Sequence, residues 1–200
     1  MLDPIRIVSA TPALRRLAIA SAIFSAVQFS FTAFFVTYLV ERLTVPIGAA
    51  GLLMSLSLAA SIATRLIWGW VADWITAIRV IGILSLGTAA VCALAPGMSP
   101  TWPLSVIGAV GISFGATALS WNGIYLAEIA SLSSPEQVSA ITGGAMVFTW
   151  IGALTGPAMF SVLLSTTGGY TTGFLVLSAM ALASALTILF NGVRKFQDRA

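Results

Sequence analysis

The 200-residue chain is 58% hydrophobic and 8% charged, with a mean hydropathy of +1.03, where soluble domains carry about a quarter of charged residues. That composition excludes a soluble globular domain and describes a polytopic membrane protein. Nine basic residues against six acidic ones give a pI of 9.6, an excess that needs no nucleic acid. With no His, a His-based hydrolytic triad is excluded, and the lone Cys92 argues against a disulfide framework or a Cys/His zinc site. No enzyme activity and no cofactor or metal are expected.

Residues 1–16 (MLDPIRIVSATPALRR) are polar to mixed, with Pro4, Pro12 and three arginines, and read as a cytoplasmic lead-in. The apolar run that follows, 17–40, is 24 residues long, too long for the core of a secretory signal and long enough to span a bilayer. Gln28 lies near its middle. A carboxamide at that depth needs hydrogen-bond partners, either on a neighbouring helix or in a wet cavity. Glu41 and Arg42 close this helix, and Pro46 marks the turn.

The second span, 50–72, carries one charge, Arg65, and ends at Asp73; a short turn then reaches Arg79. Charges at one membrane face are functional-site candidates, although a snorkelling Arg65 and a loop-starting Asp73 are the plainer reading. The third span, 80–95, contains only Ser85, Thr88 and Cys92 as polar or sulfur groups, ends at Pro96–Pro100, and is expected to be lipid-facing scaffold. The fourth, 102–127, holds Gly108, Gly111 and Gly115, spaced to let two helices approach closely or to permit bending. Trp121 and Asn122 in its last third either face a cavity or serve as interfacial Trp and packing Asn.

Ser134-Pro135-Glu136-Gln137 starts the fifth span, 138–164. Thr149 and Trp150 are its polar-capable groups near mid-membrane. Gly152, Gly156 and Pro157 predict a kinked, close-packed helix. The sixth span, 171–190, is apolar scaffold, and 191–200 forms a tail with Arg194, Lys195 and Arg199. Six spans put both termini on one side. Arg6, Arg15, Arg16, Arg79, Arg194, Lys195 and Arg199 lie there, against Arg42 alone in the opposite loops. The positive-inside rule makes that side cytoplasmic, in a cell (inner) membrane.

Arg65, Gly69, Ala72, Asp73 and Arg79 resemble the G-x-L-A-D-R-x-G-R-R loop of the major facilitator superfamily, with Trp74 at its usual Arg and Thr76 at its usual Gly. Residues 23–41, 120–130 and 152–174 resemble the seventh, tenth and eleventh helices of bacterial members. Gly152–Pro157 resembles the G-x-x-x-G-P core of an antiporter motif. The resemblance implies an all-α membrane protein: six helices forming one half of a twelve-helix transporter, as two inverted three-helix units. It also implies that the first, second, fourth and fifth spans line a cavity while the third and sixth sit outside. Gln28, Trp121, Asn122, Thr149 and Trp150 are then solute-cavity candidates. Arg65, Gly69, Asp73, Arg79 and Glu128 form a charge network that gates the cytoplasmic side. A complete member has twelve spans, so a half-length or truncated member is expected, pairing with itself or a separate six-helix chain.

Two function classes follow: a secondary transporter of a small solute, or a non-transporting fragment or assembly partner. Within the sequence-assigned spans there is no Asp or Glu, which leaves uniport or coupling through a second half.

Overall fold

The structure, a computed structural model, describes the backbone of residues 2–197 and the side chains of residues 3–189. The helices are α1 (Leu2–Ala10), α2 (Pro12–Leu43), α3 (Ile47–Ile75), α4 (Ala77–Leu94), α5 (Leu104–Ala118), α6 (Asn122–Ser131), α7 (Val138–Thr167) and α8 (Tyr170–Gln197), with a 3₁₀ turn at Ala95–Gly97. Six stretches are long and apolar enough to cross a membrane, the fourth being α5 and α6 together. The chain is a multi-pass membrane protein.

Three elements differ from the sequence reading, α4 among them. The lead-in is a helix, because Pro4 falls in its first turn, where a missing N–H costs nothing. α1 rests on α7, where a Cβ on Gly144 would lie 2.8 Å from the Pro4 backbone. The fourth span is the second difference: it unwinds at Leu119–Trp121 although none of those residues is Gly or Pro.

The spans pair as α2 with α7, α3 with α5, and α4 with α8. Exchanging the first three spans with the last three turns α2–α7 into α5–α3 and leaves α4–α8 unchanged. That is the pairing expected of two inverted three-helix units. Small residues make the two equivalent crossings close. A Cβ on Gly152 would strike the Ala22 carbonyl, and one on Gly156 the Ala26 carbonyl. One on Gly115 would strike the Ser57 carbonyl. α7 continues through Pro157, which lacks the N–H for its turn.

The interior divides along the membrane normal. Toward the end bearing α1, Leu14, Leu17, Phe24, Trp121, Tyr125 and Ile141 pack together. Toward the other, Phe31, Phe35, Phe114, Phe160 and Phe174 form an aromatic core. That far end is fastened by Tyr38, whose hydroxyl donates to the Ala95 carbonyl at 2.6 Å, and by Tyr170, which donates to Glu41 at 2.7 Å. α4 is not simply an outer helix: Val80, Leu84, Ser85, Thr88 and Cys92 are buried, largely against α8.

Candidate functional site

The break between α5 and α6 is the centre of the site. About 22 Å of helix precedes it and about 15 Å follows, so it lies well inside the span. An unwound segment at that depth releases carbonyls, and hydrocarbon offers them no donors. The α3 face supplies what the solvent cannot. Trp68 donates its indole N–H to the Ala116 carbonyl at 2.9 Å. Arg65 points Nε and Nη2 at the Leu119 carbonyl, at 3.3 and 3.1 Å. The Ser120 hydroxyl lies 2.7 Å from Thr64 Oγ1, 3.1 Å from the Gly115 carbonyl and 3.3 Å from the Ser61 carbonyl. Having one proton, it donates to one of these at a time.

α2 holds the other side of the break. Trp121, 1% exposed, stacks on Phe24 and donates its indole N–H to Gln28 Oε1 at 3.1 Å. About two helical turns from Gln28 along α2, Thr149 of α7 donates to Ser21 at 3.0 Å, and Ser21 donates on to the Ala18 carbonyl. The Tyr125 hydroxyl lies beside Ser21 and Thr149. Among the described residues, neither the Tyr125 hydroxyl nor Ser25 Oγ lies in hydrogen-bonding geometry with a partner.

Of the five cavity candidates, Gln28 and Trp121 bond to each other, and Thr149 bonds to Ser21 on the same helix as Gln28. Asn122 opens α6, half-buried. Trp150 stands apart, 60% exposed on the outer face of α7. Ser21, Ser25, Tyr125, Thr64 and Trp68 also belong to the site but were not singled out from the sequence. Their signal was spacing: Ser21, Ser25 and Gln28 fall four and three residues apart, on one helix face.

The charged set spans the α1 end of the bundle and a deeper level on α3. Asp73 and Arg79 flank the α3–α4 junction and Glu128 lies near the end of α6; all three are at the α1 end of the bundle. Arg65 is eight residues before Asp73, about 12 Å deeper along the helix, and its hydrogen bonds run to Leu119. Between Asp73 and Arg79, Thr76 adopts φ 89° and ψ 140°, a conformation that suits Gly. Among the described residues, no three His, Cys, Asp or Glu side chains gather as metal ligands.

α3 and α7 are the least covered spans. Leu66 is 78% exposed, Trp74 74% and Leu154 75%. On α3, Gly69 has nothing within 4 Å of where its Cβ would lie.

The profile of the Major Facilitator Superfamily matches residues 17–199. The chain is also 27% identical, over 144 residues, to the mouse (Mus musculus) protein "Monocarboxylate transporter 11", an alignment covering 68% of this chain and 32% of that protein. The chain thus spans about a third of the length of the curated relative it matches.

Proposed function

The chain belongs to the Major Facilitator Superfamily, and from that premise we propose that it is one six-helix half of a secondary transporter. It moves a small solute by alternating access, working against a second six-helix half. The uncovered faces of α3 and α7 support that partner.

The solute class is a small monocarboxylate. The observation that carries this is Arg65, a cation within a span, exposed beside an unwound helix. An ionisable group at that depth is costly without a task, and a guanidinium matches a carboxylate in charge and geometry. The name of the mouse relative points to the same class. Gln28, Asn122 and Thr149 contribute the remaining solute-facing surface, with Trp121 buried behind Gln28, and Asp73, Arg79 and Glu128 latch the cytoplasmic side. Both ends lie in the cytoplasm and the protein in the inner membrane, a reading supported by the excess of basic residues on the side of the termini.

The test is uptake of labelled acetate into proteoliposomes, with the mass of the purified particle measured in parallel. A twelve-helix particle whose uptake falls at least about tenfold in Arg65→Gln supports the reading. Uptake indifferent to Arg65→Gln overturns the solute class. A six-helix particle with no uptake favours the non-transporting alternative. Asp73→Asn is expected to impair uptake more than it lowers folded yield; equal losses would remove its gating role.

A further inference from the structure

Arg65 presents the edge formed by Nε and Nη2 to one oxygen. Two N–H groups converging on a single acceptor leave each bond bent. A carboxylate offers that same edge two oxygens, one for each N–H, and an opposite charge that the neutral carbonyl lacks. The Leu119 carbonyl is therefore a weaker partner than an incoming solute carboxylate. It is also a backbone atom at the break, so whatever displaces it acts on the helix itself. The other ties from α3 are independent of Arg65: Trp68 holds Ala116, and Thr64 meets Ser120.

We propose that Leu119 is the resting partner of Arg65, that Thr64, Trp68 and Ser120 position it, and that a carboxylate is recognised by displacing the Leu119 carbonyl and thereby loosening the α5–α6 break. This rests on the carboxylate reading given above. It adds that recognition and helix loosening are one exchange of hydrogen bonds. The three positioning residues keep the break from unravelling when the exchange occurs. Trp68 also sets its ease, because a firmer hold on Ala116 keeps the Leu119 carbonyl in place.

The experiment is amide hydrogen exchange across residues 119–125 of the full chain in lipid nanodiscs, with acetate or with chloride at equal ionic strength. Binding of labelled acetate is measured by equilibrium dialysis on the same samples. Acetate is expected to speed exchange in this segment about tenfold. Arg65→Gln should show fast exchange without acetate and no further response. Arg65→Lys, which keeps the charge but not the paired edge, should give a reduced response and carries the test if Arg65→Gln fails to fold. Trp68→Phe should retain the response at a lower half-saturating acetate concentration, a shift that a purely structural tryptophan would not produce. Acetate binding with unchanged exchange overturns the displacement while leaving the carboxylate reading intact. Unchanged exchange in Arg65→Gln without acetate overturns the resting contact. Absence of acetate binding to the wild type overturns both.

Discussion

The α2–α7 and α3–α5 crossings occupy equivalent places in the two inverted units, yet one joins two unbroken helices and the other ends at a break. In both, glycines press against carbonyls of the facing helix: Gly152 and Gly156 against Ala22 and Ala26, Gly115 against Ser57. α7 then meets Pro157 and keeps its helix. One absent donor costs a single hydrogen bond, and the surrounding turns hold the conformation. α5 has no proline but stops at Ala118, and several carbonyls lose their partners together. A neighbour must supply donors, and the α3 face does so with Thr64, Arg65 and Trp68. The first crossing behaves as a strut. The second is compliant, because its geometry is maintained by side chains that can exchange partners.

The largest effects should come from filling the close approaches. Gly152→Val drives a side chain into backbone atoms that cannot turn aside, and is expected to cost about 3 kcal/mol or more. Gly115→Val meets an equally near carbonyl, but α5 ends three residues later and can shift. Its loss should be smaller by about 1 kcal/mol or more. Gly143→Val, with nothing within 4 Å, serves as control. Survival of monodisperse protein after heating in detergent ranks the three. Equal losses at residues 152 and 115 would break the distinction between strut and compliant crossing.

The next test addresses how α2 holds the break. Gln28→Leu leaves the buried Trp121 indole N–H without its acceptor, a loss of about 1–3 kcal/mol. Adding Trp121→Phe removes the orphaned donor and should recover about half of it, since deleting both partners costs less than deleting one. A double-mutant cycle on thermal stability measures this coupling. Additive losses would mean that Trp121 is held by its stack on Phe24 and not by Gln28.

The spans were legible because hydrocarbon thickness sets their length, and apolar runs record it. The loop chemistry at Asp73 and the glycine spacings were legible as patterns. The break was not, because helix-breaking is read from Gly and Pro, and Leu119-Ser120-Trp121 has neither. Its trace lies on the partner helix: Ser57, Ser61, Thr64 and Trp68, spaced four, three and four residues apart, form a polar stripe aimed at α5. That stripe overlaps the stretch in which Arg65, Gly69 and Asp73 drew attention as a charged motif. Arg65 reads as a gating charge among charges; its contact with a backbone carbonyl depends on an unwinding that only tertiary packing reveals.

A smaller effect of opposite sign is expected at the end of α3. Thr76 holds φ 89°, a region a β-branched residue enters only under strain. Thr76→Gly should stabilise the protein by about 1 kcal/mol, the relieved strain outweighing glycine's greater freedom in the unfolded chain. If strain at this turn is confined to the α3 side, the gain should be the same in wild-type and Gly152→Val backgrounds, as thermal unfolding of the pair would show.

The smallest changes should follow from removing hydroxyls on the α2 side that have no described partner. Ser25→Ala and Tyr125→Phe delete polar atoms that are already buried and unbonded among the described residues, so each should be neutral or stabilising by up to about 1 kcal/mol. Ser120→Ala, which removes a hydroxyl in contact with three acceptors at the break, should instead destabilise by about 1 kcal/mol. The contrast follows from the two crossings: polar groups are needed where a helix is broken and are dispensable where helices run through. A loss on Ser25→Ala as large as that on Ser120→Ala would reveal a bound water bridging Ser25 to its neighbours. The α2–α7 side would then be as dependent on exchangeable polar contacts as the break, and equally able to move.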